Sequence, residues 1–270
     1  MAKTLLLSFL LLINFSCVKE NETRFPGKIT RVVSLSPSVT RMMIDLGCGD
    51  LVVGITTYQP IVHGAETVGT LLRPSPERIM RLKPDVIFYS EEDSVVQEFE
   101  CLSGMNTHRF KKNSGFGDIR DNYLALAGMT GRSEAAAMKI RKYETDLDAA
   151  RSARSGGSLA LFVSSRPLVA VSGKSYIGSI IRDAGGINVY ERLGIPYPPV
   201  TLESLARMNP GIIIVVAGDA VERAEYDRVF SRLGRTGMRI FRVGPERISH
   251  YTPADYVESV RIISGILKKK

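Results

Sequence analysis

The sequence predicts an α/β protein of two lobes, each built on a parallel sheet, joined by one long connecting helix. Three observations carry this. Short apolar runs alternate with segments of helical spacing on both sides of the middle of the chain. Between them, Ala136, Ile140, Tyr143, Leu147 and Ala150 recur at steps of four and three, which draws one apolar stripe on a helix over 132–153. Finally, Ser75–Phe88 is echoed by Thr201–Ile214. Each segment has a cap residue, a first-turn glutamate, a short amphipathic stretch, a proline seven places after the glutamate, and an apolar run.

Taken in order, Ile29–Leu35 reads as the first strand, punctuated by Ser36-Pro37-Ser38. Helical spacing runs from Val39 to Leu46 and stops at Gly47. Leu51–Ile55 is a second strand, Pro76–Leu82 a short helix, Asp85–Tyr89 a third strand and Thr107–Phe110 a fourth. The long helix has Ser133 as its cap, Glu134 at its positive start and Gly156-Gly157 beyond its end; its length makes a rod of roughly 33 Å. Strands resume at Leu159–Val163 and Leu168–Val171, followed by a helix over Tyr176–Ala184 that Gly185-Gly186 ends. Ile212–Val216 is a continuous apolar run, as expected of a strand buried on both faces, and Arg239–Val243 is another strand. Thr252-Pro253-Ala254-Asp255 opens the last helix with a cap, a proline at the first helical position and an acidic third position.

The first residues form a separate unit. After Lys3, an apolar stretch runs from Leu5 to Phe15, broken only by Ser8 and Asn14. It is well short of the ~20 residues that span a bilayer and reads as a secretory signal. Ser16-Cys17 then resembles a bacterial lipoprotein cleavage site, at which Cys17 becomes a lipidated N-terminus. Asn14 and Phe15 depart from the usual pattern, and plain secretion is the alternative. The expected organisation is a signal peptide over 1–16, a lipid-bearing tether over 17–28, an N-terminal lobe over 29–131, the connecting helix over 132–155 and a C-terminal lobe over 156–270.

Composition narrows the chemistry. Lys+Arg number 36 against 28 Asp+Glu, a net charge of +8 that points to anionic partners. The excess is dispersed, with Lys268–Lys270 its only like-charge block, so no nucleic-acid partner is expected. Cys48 and Cys101 either bridge, closing a loop of about fifty residues, or remain two buried thiols. Gly173-Lys174-Ser175 stands between a strand and a helix, but a phosphate-binding loop needs a glycine where Leu168 stands. Gly115-Phe116-Gly117 lacks the third glycine of a dinucleotide site, Arg120 taking its place. There is no nucleophile elbow and no His-Glu-x-x-His. His63, His108 and His250 are isolated in sequence, so a bare metal ion would require them to converge in space. No catalytic constellation, cofactor motif or metal site is read, and the chain is not expected to be an enzyme.

Several segments together resemble one family. They are Arg31-Val32-Val33-Ser34-Leu35-Ser36-Pro37, Val68-Gly69-Thr70 leading into Ser75–Asp85, Ser172-Gly173-Lys174 through Gly185-Gly186-Ile187-Asn188-Val189, and Val200 to Pro210. They are similar to the substrate-binding proteins of ATP-driven (ABC) importers for metal chelates: the cobalamin, ferric-siderophore and haem group. The likeness covers residues 29–267. It implies two Rossmann-like lobes with parallel sheets, a ligand cleft between them, a monomer, and small lobe motion because the long helix restricts closure. It also implies an exported protein on the periplasmic side of the cell membrane, anchored there through Cys17, with a metal chelate, an ABC permease and its ATPase as partners.

The resemblance assigns roles residue by residue. One glutamate per lobe docks into arginines of the permease, and Glu77 and Glu203 stand at those positions. A purely structural reading exists beside this, since a first-turn glutamate favours the helix dipole by a few tenths to ~1 kcal/mol. The ligand cleft maps to Ser36, Ser38, Tyr58, Thr70, Leu71 and Arg73 in the first lobe. In the second it maps to Ser165, Arg166, Tyr197 and His250 or Tyr251. Arg73 and Arg166 suit an anionic chelate, and the tyrosines suit stacking. Thr70 stands where haem binders of the family place an iron-ligating tyrosine, and Leu71 where cobalamin binders can place a tryptophan, of which the chain has none. An iron chelate (a ferric siderophore) is therefore favoured, then a cobalamin-like ligand. The rival readings are a bare transition-metal carrier, and an exported enzyme or interaction lipoprotein that reuses the fold.

Overall fold

The computed structural model describes residues 28–91, 105–152, 156–233, 237–248 and 251–269. The expectations for residues 1–27, Cys101 and His250 lie outside them. The first half runs β1 (Val32–Ser34), α1 (Pro37–Asp45), β2 (Val52–Ile55), β3 (Glu66–Thr67), α2 (Pro76–Arg81), β4 (Val86–Ser90), β5 (Thr107–Phe110) and α3 (Phe116–Met129). The helix α4 (Ser133–Ser152) follows. The second half runs β6 (Ser158–Ser165), β7 (Leu168–Ala170), α5 (Tyr176–Asp183), β8 (Ile187–Asn188), α6 (Leu202–Met208), β9 (Ile212–Val216), α7 (Ala220–Phe230), β10 (Arg239–Val243) and α8 (Pro253–Lys268).

Each half builds its own five-stranded sheet. The first has the order β3-β2-β1-β4-β5, with every pairing parallel. The second has the order β10-β9-β6-β7, and β8 pairs with the start of β6. One strand departs from the expected parallel arrangement. β7 is antiparallel to β6, because the two-residue connection Arg166-Pro167 is long enough only for a hairpin. The central strands are buried on both faces, as the apolar run Ile212–Val216 requires.

The internal echo extends to backbone detail. α2 and α6 are capped by Ser75 and Thr201, whose hydroxyls accept from the amides of Arg78 and Ser204. Ile79 and Leu205, the same place in each helix, are fully buried. Lys83 and Asn209 both leave the helix in the left-handed region, at φ +46° and +44°, just before Pro84 and Pro210. β4 and β9 then occupy equivalent positions beside β1 and β6. Ser75 and Thr201 are 126 positions apart, and that offset relates every one of these pairs.

α4 buries Ala136, Ile140, Leu147 and Ala150 as its stripe predicts, and Tyr143 packs against the same core. It is tied to both halves by matching contacts. Asp45, the last residue of α1, accepts from the Tyr123 hydroxyl of α3 and lies 3.2 Å from Lys139 of α4. Asp183, the last residue of α5, accepts from the Tyr256 hydroxyl of α8 at 2.7 Å and from Arg151 of α4 through two bonds of 3.1 and 3.0 Å. An aromatic contact joins the halves directly: Phe116 of α3 lies 5.6 Å from Tyr256.

Two helices escape the pattern reading. α3 carries buried Phe116, Ile119, Tyr123, Leu126 and Ala127 at helical spacing, a stripe that the glycines around Phe116 mask. α7 is mostly charged and buries only Tyr226 and Phe230, but Asp219 caps it from the amide of Glu222, a usable start signal.

Candidate ligand-binding site

The loops that follow the strands build the site. In sheets of this kind ligands bind beyond the carboxyl ends of the strands, where the strand order reverses. In the first lobe that point lies between β1 and β4, and in the second between β6 and β9.

Between the lobes is a cavity of about 170 Å³, lined by Lys112, Asn113 and Ser114 from the first lobe and by Lys174, Ser175, Tyr176, Pro196, Tyr197 and Tyr251 from the second. Each wall is held by the local sequence. The loop after β5 is fixed by buried Asn122, which donates to the Lys111 carbonyl at 2.8 Å and to Asn113 Oδ1 at 3.0 Å. The Lys112 amide donates to Glu91 at 3.1 Å. Opposite, Ser172 Oγ donates to the Ile195 carbonyl and accepts from the Lys174 amide. Gly178, in the first turn of α5, lets this loop approach: a Cβ there would stand 2.1 Å from the Ser172 carbonyl oxygen. Tyr176 is buried, burial holds its phenol protonated well above the usual range, and its ring packs 4.5 Å from that of Tyr251. Lys112 and Lys174 are exposed at the cavity edge, and neither enters an ion pair among the described residues. The cavity wall thus has aromatic rings, two ammonium groups and no carboxylate.

The residues expected in the cleft divide into three groups. Tyr197 and Tyr251 line the cavity. Tyr58, Thr70, Arg73 and Arg166 are exposed on loops outside it, and Leu71 is half-buried. Tyr58 is fully exposed at a φ of +63°. The third group is turned inward. Ser36 and Ser38 are buried, at 2% and 7% exposure, and their hydroxyls bond each other at 2.9 Å. Beside them Thr40 and Gln59 join Ser34 and Thr56 in a network that holds the loops after β1 and β2 together. Ser165 donates to Glu225 at 3.0 Å. In the exposed group, Thr70 closes its own turn, its hydroxyl accepting from the Arg73 amide at 3.0 Å. That turn depends on Gly69, at φ +126°, where a Cβ would stand 2.5 Å from the Arg73 carbonyl.

His63 and His108, the two histidines among the described residues, sit in different surroundings. His63 is exposed in a loop, whereas His108 packs edge-on against Phe88 and Phe110, and burial lowers its pKa. Among the described residues no three His, Cys, Asp or Glu side chains are grouped to hold a metal ion. Cys48 is a buried free thiol whose Sγ donates to the Met43 carbonyl, and burial raises its pKa.

Comparison with known proteins settles the family. The sequence profile described as periplasmic binding protein matches residues 32–234, well over half of the chain. The chain belongs to the periplasmic binding protein family. A vitamin B12-binding protein of Vibrio vulnificus (strain YJ016) is 27% identical over 195 residues, covering 69% of this chain and 71% of the relative. Among solved structures, a possible iron-binding (periplasmic solute-binding) protein from Staphylococcus epidermidis superposes with a TM-score of 0.78 at 18% identity, covering 90% of this chain and all of the other. The periplasmic vitamin B12-binding protein of Vibrio cholerae gives 0.74 at 21% identity, over 91% and 100% of the two chains.

In this periplasmic binding protein Glu77 and Glu203 occupy the second position of α2 and α6, and both are exposed. Neither enters an ion pair among the described residues, although α2 and α6 carry Arg81 and Arg207 in their last turns. Sequence reasoning missed Lys112, Asn113 and Tyr176 as cavity residues. Lys174 lay within a quoted motif, but nothing local to it shows that it shares a cavity with Lys112.

Proposed function

We propose that this protein captures an anionic metal chelate between its lobes and delivers it to an ABC permease and its ATPase, docking through Glu77 and Glu203. The carrying observation is the pairing of these glutamates. They stand 126 positions apart at the same place of two equivalent helices, and neither enters an ion pair among the described residues. A first-turn helix preference explains each singly; a matched, uncompensated pair fits a partner that engages both lobes at once. Binding rather than catalysis accords with the family.

The cavity supports an anionic ligand with flat or aromatic surface, since Lys112 and Lys174 supply charge and Tyr176, Tyr197 and Tyr251 supply stacking area. An iron chelate fits this description, and a corrinoid accords with the names of several relatives. At about 170 Å³ the cavity is smaller than the ~300–1,000 Å³ of typical small-molecule sites. A whole chelate therefore extends beyond the cavity, and Tyr58 and Arg73, exposed on loops of the first lobe, are proposed as its further contacts. Cys17 is proposed as the lipid anchor that keeps the protein at the membrane. The test is import in cells carrying Glu77→Ala with Glu203→Ala. Uptake is lost while the soluble protein keeps its ligand affinity; normal uptake by the double variant rules the docking role out.

A further inference from the structure

Most arginines near the lobe junction are answered by acids. In a polar cavity of about 560 Å³ there, Arg120 pairs with Asp121 and Glu144, Arg151 with Asp148 and Asp183, and Arg182 with Glu191. A second groove, on the flank of the C-terminal lobe, is built differently. It encloses about 520 Å³, and its lining contains Arg166, Arg228 and Arg232 but no carboxylate. None of these three guanidinium groups enters an ion pair among the described residues. Leu168, Val200 and Leu202 give it an apolar lining. Leu202, the first residue of α6, lines the groove, and Glu203 is its neighbour in the chain.

We infer that this groove receives an acidic segment, flanked by apolar residues, of the same protein partner on which Glu203 docks. The inference rests on the docking role proposed above for Glu203. Arg166 also lines an adjoining pocket with Glu222 and Glu225, but ion-pairs with neither, and Arg228 and Arg232 have no carboxylate beside them in the groove. Guanidinium groups so placed around an apolar surface recognise carboxylates by paired N–H donors while covering hydrocarbon. Arginine with buried aliphatic neighbours is a recurrent anchor of protein interfaces. With Glu203 alongside, the face carries both signs of charge, and a partner of complementary pattern is thereby fixed in orientation as well as attracted.

The probe is a short synthetic peptide of alternating aspartate and leucine carrying an uncharged dye, titrated against the folded soluble chain by fluorescence anisotropy at about 0.15 M salt. The wild type binds it. The variant Arg166→Gln with Arg228→Gln and Arg232→Gln weakens binding by about tenfold or more. Arg239→Gln with Lys269→Gln, which alters basic surface elsewhere on the lobe, leaves binding unchanged. All three groove arginines are exposed, so near-ultraviolet circular dichroism of the triple variant stays that of the wild type. The inference is overturned if the wild type does not bind, if the triple variant binds equally, or if the control variant weakens binding as much. It is also overturned if the triple variant keeps the peptide but loses binding to phosphatidylglycerol vesicles, which would make the groove a membrane contact. The titration does not involve Glu203. Normal uptake by the double glutamate variant therefore defeats the docking role without touching this result.

Discussion

Tyr58 combines a left-handed φ of +63° with complete exposure of its ring. Neither is expected of a bulky residue without a purpose, since the left-handed region costs roughly 1–2 kcal/mol for a residue with a Cβ. A ring held out for a ligand, the contact proposed above, is such a purpose. Tyr58→Gly relieves that cost while adding about 0.5–1 kcal/mol of backbone entropy. Urea unfolding of this variant is therefore expected to match the wild type or slightly exceed it, while ligand affinity falls. Gly69→Ala has the opposite signature: its new Cβ meets the Arg73 carbonyl, and a loss of about 1–3 kcal/mol in unfolding free energy is expected. The sequence marked Tyr58 as a cleft residue but not its backbone state, which the loop imposes. It placed Ser36 and Ser38 correctly after β1 yet could not show that their hydroxyls face each other rather than a ligand. Hydroxyls at strand ends serve ligands and loop closure equally well, and burial alone separates the two uses.

At the scale of elements, the connecting helix is held at both ends by the same chemistry. Asp45 with Tyr123 and Lys139 fastens the first lobe, and Asp183 with Tyr256 and Arg151 fastens the second. Each aspartate ends the helix that enters its lobe. Asp45→Ala is expected to lower unfolding free energy by about 1.5–3 kcal/mol, because it leaves a phenol and a cation without their charged partner. Asp183→Ala is expected to lower it by less, about 1 kcal/mol, because Arg151 keeps Asp148 and the Tyr256 hydroxyl keeps Ser179. The first clamp also has a pH signature. Burial and the Asp45 carboxylate push the Tyr143 phenol up to about 12, and burial with the same carboxylate raises Tyr123 further. Unfolded tyrosines ionise near 10. This contribution to stability is thus complete below about pH 10 and lost as pH climbs to about 12. On the acid side His108, its pKa lowered by burial, stabilises the fold above about 6.5 and ceases to do so as pH falls through its folded value. Denaturant midpoints measured across both ranges check the two slopes, and Tyr143→Phe and His108→Gln flatten them respectively. The long helix was legible because its stripe is regular and uninterrupted. The clamps were not, since they join residues 78 and 73 positions apart through tertiary packing.

The whole molecule is two related sheets on one clamped helix, with continuous aromatic packing from Tyr251 through Tyr176 and Tyr256 to Phe116 across the lobe junction. Lobes joined in this way are expected to close little, and small-angle scattering with and without ligand is then expected to show nearly equal radii of gyration. The duplication was legible at the outset because helix start, proline and buried strand recur in register. The cavity was not, because Lys112 and Lys174 meet only when the lobes are assembled. The central claim is that the cleft binds an anionic chelate. Its most direct test is thermal unfolding of residues 18–270 against ferric siderophores, cobalamin, haem and the free ions Mn²⁺, Zn²⁺ and Fe³⁺. One chelate at a hundred times its dissociation constant stabilises the wild type by about 2.7 kcal/mol, and Lys112→Gln with Lys174→Gln diminishes that gain. Stabilisation by the free ions alone, or by none of the chelates, contradicts the account.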